Sequence, residues 1–248
     1  MCTLSWVYHG NNHYEVYFNR DEQRSRLPAL EPQGVLIDGV HCLMPIDPVG
    51  GGSWISTNEH GVTVCLLNFY QGMTPNGELT SRGLIIKRLA SSCSSQTVDS
   101  RLLEMELSSF APFTVVSFDT RRTANETVLW TWDGEQLRRS HAFAPIVSAA
   151  MHFEEARQYR LELFNELITT MPDHEVGRLF HQTYDANYPH LSPLMERNDA
   201  RTVSFTSVVV SSSKQEMNYQ SIDNHRNVDF RTSLSCLKND IVEQGVFK

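Results

Sequence analysis

Strands and helices follow one another in blocks along this chain, and that grouping restricts the folds it can adopt. Segments rich in β-branched and aromatic residues predict strands at 3–8, 13–18, 35–37, 53–56, 62–67, 113–119, 126–132, 135–140, 203–211 and 217–222. Helical periodicity predicts helices from Thr80 or Ser81 through Leu89, and at 96–107, 152–171 and 174–184. Parallel sheets need a crossover, usually a helix, between strands, so blocks of strands favour antiparallel sheets with helices on their outer faces. The predicted fold class is α+β, and a four-layer αββα sandwich of two antiparallel sheets fits the order.

The length of the chain favours a single domain, and its cysteines indicate neither disulfides nor a structural metal site. No low-complexity linker divides the 248 residues, so a single domain over 1–248 is predicted. The cysteines are odd in number, widely spaced and free of any CxxC pair: Cys2, Cys42, Cys65, Cys93 and Cys236. Neither a disulfide framework nor a zinc site is indicated.

The charge and hydropathy of the chain exclude two classes of partner. Asp and Glu total 29 against 21 Lys and Arg, giving a net charge of −8, and the basic residues do not form a patch. A nucleic-acid partner is therefore not expected. The N-terminus has no basic, apolar leader, and apolar residues nowhere run for 18 positions. These features predict a soluble cytoplasmic protein without membrane insertion, and they leave a homo-oligomer open.

Two other patterns are typical of cofactor sites, but neither forms a complete motif here. The ten histidines include no His-Glu-x-x-His and no close Cys/His cluster, so no metal site is predicted. The glycines 50–52 are not followed by Gly-Lys-Ser/Thr, and a tight turn is favoured over a phosphate-binding loop. We therefore expect no metal and no other cofactor.

Cys2 is the most informative residue for function. A small second residue allows removal of Met1, after which Cys2 carries a thiol nucleophile and an α-amine base on one residue. The amine has a pKa of about 7.7–8.0 and the thiol one of about 8.5, so they are matched for proton exchange near neutral pH. The alternative is that Cys2 only begins a buried strand.

The motif Asn19-Arg20-Asp21-Glu22 ends the strand that pairs with the one begun by Cys2. Antiparallel neighbours lie about 4.8 Å apart, and the start of one faces the end of the next. Arg20 and Asp21 are therefore expected to reach Cys2, where a cation lowers the thiol pKa. The alternative is a structural ion pair that closes the hairpin.

Four further motifs supply candidate binding residues: Gly51-Gly52-Ser53-Trp54, Asn68, Ser81-Arg82-Gly83 and Arg201-Thr202. Trp54 is interpreted as a pocket wall, with a core position as the alternative. Arg82 lies at a helix N-terminus, which favours anions, and its alternative is a solvated side chain beside a cap. Substrate-binding positions are assigned to Asn19, Trp54 and Arg82.

With these motifs in this order, the chain resembles the NRDE family, also called Transport and Golgi organization 2-like. That family resembles the N-terminal nucleophile hydrolases, which include penicillin V acylases, bile salt hydrolases and acid-ceramidase-like amidases. The motifs that carry the resemblance span most of the chain. The resemblance implies the αββα fold and amide-bond chemistry. One departure is that relatives commonly place an asparagine near 146–150, where this chain has Ser148-Ala149.

The resemblance also implies roles for five catalytic candidates. Cys2 resembles the nucleophile, and Asp21 matches the aspartate that holds the freed α-amine. Arg20 has the neighbourhood of the amidase arginine, although its offset from the aspartate differs. Asn68 resembles the loop asparagine that donates to the oxyanion, and Arg201 resembles the late-strand arginine that supports the nucleophile or its aspartate.

Three functions follow from these features. The leading hypothesis is an amidohydrolase or acyltransferase that acts on a small acylated metabolite through a Cys2 thioester. The rival is a non-catalytic binding or trafficking protein for acyl-coenzyme A, lipid or haem that uses the same cleft, and the Ser148-Ala149 departure favours it. A glutamine amidotransferase domain also begins with Met-Cys, but glycine and isoleucine usually follow, where this chain has Thr3-Leu4, and a synthase domain is expected beyond it.

Overall fold

The structure is a computed structural model that describes residues 2–10, 12–123, 126–223 and 226–235, with the last range described as backbone. Met1, Asn11 and Cys236 lie outside the described residues. The strands are β1 (Cys2–Gly10), β2 (His13–Gln23), β3 (Leu30–Ile37), β4 (Val40–Ile46), β5 (Ile55–Asn58), β6 (Val62–Asn68), β7 (Phe113–Asp119), β8 (Val128–Trp132), β9 (Leu137–His141), β10 (Ile146–Ser148), β11 (Ala200–Val210), β12 (Lys214–Asp223) and β13 (Arg226–Ser235). The helices are α1 (Gly83–Leu89), α2 (Ser95–Glu104), α3 (Phe153–Thr170) and α4 (Asp173–Gln182).

The strands form two sheets, and every pair within them is antiparallel. The six-stranded sheet has the order β10-β1-β2-β11-β12-β13, and the seven-stranded sheet has the order β3-β4-β5-β6-β7-β8-β9. The second sheet is a meander, because each strand pairs with its neighbour in the chain. In the first sheet, β10 and β11 join a hairpin that is far from them in sequence.

The two sheets face each other across the main core. Side chains alternate between the faces of a strand, so β1 and β2 send Leu4, Trp6, Val16 and Phe18 into this core. The facing sheet contributes buried apolar residues to the same cluster: Ile55, Cys65, Leu67, Val116 and Phe118. The aromatic rings of Trp6 and Phe118 meet edge to face, with centroids 5.3 Å apart.

The helices cover the outer faces of the sheets. Helices α1 and α2 pack on β6 and β7 of the seven-stranded sheet, and α3 and α4 pack on β10, β1 and β2 of the other. This arrangement confirms the predicted α+β class and the four-layer αββα sandwich. Among the described residues, no helix is long and apolar enough to cross a membrane.

The structure differs from the predicted elements at three strands, at the last hairpin turn and at the start of α1. Strands β4, β10 and β13 are not predicted, although Asp38-Gly39 before β4 is a hairpin signal and both residues have positive φ, at 50° and 77°. Strand β12 begins at Lys214, so the last predicted hairpin turns at 211–213 and not around Lys214-Gln215. Helix α1 begins only at Gly83, because Thr80 forms a bridge with Phe110 instead of capping the helix.

A close contact between two backbones fixes the start of α1 against the loop before β5. The Ser53 amide donates a hydrogen bond of 3.1 Å to the Gly83 carbonyl. A Cβ placed on Gly52 would lie 2.2 Å from the Gly83 carbonyl carbon, and that atom is backbone and cannot rotate away. Only glycine therefore fits at position 52 without displacement of α1.

We expect Gly52→Ala to lower the free energy of unfolding by about 1–3 kcal/mol, as overpacking generally does. Urea unfolding followed by circular dichroism measures the change. The control is Gly34→Ala on β3, where an added Cβ meets nothing within 4 Å. Equal stability of the two variants would contradict the steric argument.

Candidate active site

Cys2 lies at the junction of three strands. It pairs with Arg20 on β2 and with Ser148 on β10, and its side chain is 9% exposed at the edge of the core between the sheets. The register confirms the expected approach of the NRDE motif to Cys2. The thiol is free.

Burial raises the pKa of the Cys2 thiol, and the negative charge of Asp21 raises it further. The Asp21 backbone amide and the Arg20 guanidinium act in the opposite direction and stabilise the thiolate. Burial has the larger effect, so the thiol is protonated at neutral pH. A nucleophilic role for Cys2 therefore requires a base next to it.

Asp21 lies on the other face of β2, behind Cys2, and is 4% exposed. Its Oδ1 accepts a hydrogen bond of 2.6 Å from the Thr202 hydroxyl on β11, its partner in the strand register. Its Oδ2 has no hydrogen-bond partner among the described residues. Burial raises the pKa of the Asp21 carboxyl, against the attraction of Arg160. One carboxylate oxygen is thus free to accept a proton or a hydrogen bond.

Arg160 on α3 is the main residue of this region that the sequence prediction missed. It is fully buried and donates to the Leu191 carbonyl at 2.9 Å, the Ser192 carbonyl at 2.7 Å and the Thr3 hydroxyl at 2.5 Å. Arg160 lies four residues after Ala156 and four before Phe164, so it shares the buried face of the helix with them. This spacing is the sequence signal that could have identified it. It supplies a positive charge behind the β1–β2 pair.

Arg20 points toward the cleft in front of Cys2. Its guanidinium lies 4.5 Å from the centroid of the Trp54 ring, and it is 3.3 Å from the Glu22 carboxylate and 3.8 Å from Asp47. Asp47 also accepts a 2.5 Å hydrogen bond from Arg26, which helps to hold the pKa of its carboxyl below its usual value despite burial. The Arg20 side chain is therefore fixed by one aromatic and two acidic neighbours.

Asn68 ends β6 close to Cys2. Its side-chain Nδ2 donates to the Tyr70 hydroxyl at 2.8 Å, and its carbonyl accepts a hydrogen bond from the Ser148 hydroxyl. Since an amide NH₂ has two donor hydrogens, the bond to Tyr70 leaves one for another acceptor. Asn68 lines the same cleft as Cys2.

The cleft has a volume of about 570 Å³ and combines most of the candidate residues: Cys2, Arg20, Asp21, Trp54, Asn68 and Arg82. Arg82 is held by a 2.9 Å hydrogen bond from its Nη1 to the Pro112 carbonyl. Within the part of the chain that the structure describes, Arg82 forms no ion pair. Its charge is therefore available to an anionic group in the cleft.

Two candidates lie elsewhere. The Asn19 side chain is completely buried and donates to the carbonyls of His181 and Pro193, both at 2.8 Å, so it faces the helix layer. Arg201 pairs with Glu22 in the strand register and lines the neighbouring groove with Arg24. Neither residue lines the cleft that contains Cys2.

Besides Arg160, the sequence prediction missed three contributors to the site, namely Asp47, Tyr70 and Thr202. Thr202 stands next to Arg201 in a motif that was noted for the arginine, and its pairing with Asp21 depends on the register of β11. Asp47 and Tyr70 lie in loops, where no periodic pattern indicates the direction of a side chain.

The two facing sheets, with a cysteine at the start of β1, are similar in fold to solved structures of an acylase, a bile acid hydrolase and an acid amidase. Penicillin V acylase from Agrobacterium tumefaciens is 11% identical with a TM-score of 0.57, over 92% of this chain and 85% of that chain. A mutant of conjugated bile acid hydrolase from Clostridium perfringens is 10% identical with a TM-score of 0.56, over 97% and 94%. The N-acylethanolamine-hydrolyzing acid amidase orthologue of Caenorhabditis elegans is 12% identical with a TM-score of 0.55, over 82% and 91%. At these identities the similarity establishes the fold.

The family is established by sequence. The model of the family TANGO2, Transport and Golgi organisation 2, matches residues 1–228, and the chain belongs to that family. This result confirms the resemblance inferred from the motifs. No curated protein matches the sequence significantly.

The raised pKa of Asp21 predicts how stability depends on pH. The folded protein binds this proton more tightly than the unfolded chain does, so ionisation of Asp21 lowers the free energy of unfolding as the pH rises above the ordinary value of 3.8. Each unit of pKa elevation corresponds to about 1.4 kcal/mol. We expect Asp21→Asn to be more stable than the wild type at pH 7, and the difference to vanish near pH 3.

Thermal unfolding of both proteins between pH 3 and pH 8 measures this difference. Thr202→Val is the matched variant, because it removes the 2.6 Å hydrogen bond and keeps the carboxyl. Asp21→Asn that is less stable than the wild type at pH 7 would show that the charge stabilises the fold.

Proposed function

We propose that this protein is an N-terminal-cysteine amidohydrolase or acyltransferase that acts on a small acylated metabolite through a Cys2 thioester. The observation that carries the proposal is the position of Cys2, between Arg20 and Ser148 at the end of a polar cleft. The unpartnered oxygen of Asp21 adds support, because a buried carboxylate suits an ammonium group. Removal of Met1 is part of the proposal.

In the proposed reaction, the α-amine of Cys2 takes the thiol proton, and the thiolate attacks the substrate carbonyl carbon. The C–S bond forms as the carbonyl π electrons move to oxygen. When the oxyanion collapses, the C–N bond breaks and the leaving amine receives the proton from the α-ammonium group. Water, or an acceptor amine, then attacks the thioester carbonyl with the α-amine as base, and the thiol is regenerated with its proton.

The neighbouring groups have distinct parts in this reaction. Asp21 holds the α-amine and stabilises its protonated form. The free Nδ2 hydrogen of Asn68 donates to the oxyanion, an interaction typically worth about 3–4 kcal/mol in rate. Arg20 stabilises the thiolate, in line with its effect on the pKa of Cys2. Arg201 lies outside the cleft, so it influences the reaction only by holding β2, on which Arg20 and Asp21 lie.

The charges in the cleft favour a substrate with an anionic group. Arg20 and Arg26 are paired with Glu22 and Asp47, whereas Arg82 has no ion pair among the described residues. A carboxylate or phosphate near Arg82 would gain a charge-assisted hydrogen bond. We therefore propose that the acylated metabolite bears an anionic group beside Arg82.

A second candidate function is a binding or trafficking protein for acyl-coenzyme A, lipid or haem that uses the same cleft. Two observations favour it. Burial raises the pKa of the Cys2 thiol, and the Ser148 hydroxyl is already committed to the Asn68 carbonyl. The Ser148 hydroxyl is therefore not free to donate to an oxyanion.

Intact-protein mass spectrometry distinguishes the two functions. We expect the purified protein to lack Met1 and to gain one acyl mass after incubation with members of a panel of N-acyl amino acids, lactams and acyl thioesters. Cys2→Ala is expected to lose the adduct, because no other residue combines a thiol with an α-amine. Retained Met1 with no adduct, and a co-purified ligand, would favour the binding function.

The control for this experiment is Cys93→Ala. Cys93 is an exposed thiol whose pKa is lowered, chiefly by the Thr97 hydroxyl, so acyl thioesters can react with it without catalysis. Adduct formation should survive Cys93→Ala. Loss of the adduct in this variant would show that the modification is a surface reaction.

Arg82→Gln tests the substrate class. We expect it to raise KM for a carboxylate-bearing substrate by about 10–100-fold, the loss of one charge-assisted hydrogen bond, with little change in kcat. The same substrate as its neutral amide should be unaffected. Equal effects on both substrates would contradict recognition of the anion by Arg82.

A further inference from the structure

Three potential metal ligands meet near the turn of the β1–β2 hairpin, at the opposite end from Cys2. One ligand atom from each of His9, His13 and Glu15 lies within 4.8 Å of the others. The Oε1 of Glu15 is 3.3 Å from the Nε2 of His9 and 3.9 Å from the Nε2 of His13, and the two imidazole rings have centroids 4.6 Å apart. Among the described residues, no other group of three such side chains comes together.

The register of the hairpin explains why these residues share a face. His13 and Glu15 are two apart on β2 and therefore point to the same side. The pairing shifts between Tyr8 and Gly10 on β1, and this bulge leaves His9 as an extra residue turned toward them. Gly10, with φ of 72°, supplies the backbone conformation that the bulge requires.

The two imidazoles are poorly satisfied by the protein alone. The Nε2 atoms of His9 and His13 are both buried, and both lie near the Glu15 carboxylate, but neither forms a hydrogen bond among the described residues. The other carboxylate oxygen of Glu15 accepts a hydrogen bond from the Tyr17 hydroxyl, which orients the carboxylate. Buried polar atoms normally have partners, so two adjacent exceptions indicate a missing ligand.

We propose that His9, His13 and Glu15 bind a divalent transition-metal ion, with zinc as the best match. Imidazole nitrogen and carboxylate oxygen bind zinc at about 2.0–2.2 Å, which places tetrahedral ligand atoms about 3.4 Å apart. The separations of 3.3 Å and 3.9 Å are close to this value and need only small side-chain rotations. Three protein ligands leave a fourth position for water or an external group. Tyr17 is a positioning residue that orients Glu15.

The site is independent of the proposed thioester chemistry. His9 is seven positions after Cys2 on one strand, which at about 3.3 Å per residue places them roughly 23 Å apart. Glu15 and Tyr17 also line a groove of about 480 Å³ next to α4, so the ion would be accessible from that side. Metal binding and Cys2 acylation can therefore be tested separately.

The test is a zinc titration of the full chain without an affinity tag, after treatment with EDTA and dialysis. Competition with a chromogenic chelator gives the stoichiometry and the affinity. We expect the wild type to bind one equivalent, and His13→Ala and the double variant His9→Ala/Glu15→Gln to lose it. Tyr17→Phe should weaken binding by about 10-fold, the effect of removing a partner that orients a ligand.

The matched control is His152→Ala. His152 Nδ1 lies 3.1 Å from Glu155, and the ring centroids of His152 and His190 are 5.4 Å apart. The ligand atoms of these three residues do not all lie within 4.8 Å of one another, unlike those of the only such group among the described residues. This variant should keep the full equivalent of zinc. Zinc binding that survives His13→Ala and the double variant in the folded state, or its absence from the wild type, would overturn the proposal.

A thermal melt without zinc establishes that each variant is folded. Should His13→Ala not fold, anomalous diffraction at the zinc edge from crystals of the wild type decides the question. A peak between His9, His13 and Glu15 supports the site, and zinc bound only elsewhere refutes it. Cys2 acylation of the His13→Ala variant should match the wild type.

Discussion

The register of β1 between β10 and β2 is the constraint on which the candidate site depends. Backbone hydrogen bonds place Cys2 opposite Arg20 and Ser148, and those between β2 and β11 place Asp21 opposite Thr202. A slip of one residue would move every side chain of a strand to the opposite face. The apolar core residues of β1 and β2 prevent such a slip, so packing between the sheets also sets the geometry around the thiol.

Strand alternation divides the NRDE motif between two environments. Arg20 faces the cleft with Cys2, and the Asn19 side chain faces the helix layer. Asp21 lines the cleft, and its carboxylate accepts a hydrogen bond from Thr202 on β11. Asp21 is buried near Arg160, and this pair of opposite charges lies behind the strand that begins with Cys2. The proposed role of Asp21 opposes the stability of the fold, because an ionised carboxylate suits an α-amine and is costly to bury.

Local patterns predicted the fold class and the neighbourhood of Cys2, because a hairpin brings together residues that are close in sequence. Arg160 and Asp47 reach the site through tertiary packing and a loop, and no local rule gives their direction. Asn19 was assigned to the substrate from its motif alone, and alternation turns it away from the cleft. The single domain, the cytoplasmic location, the homo-oligomer and the roles of the site residues stay predictions.

The hydrogen bond from the Ser148 hydroxyl to the Asn68 carbonyl joins β10 of one sheet to β6 of the other. This hydrogen bond links the two sheets beside the Cys2 thiol, and sliding of one sheet over the other would break it.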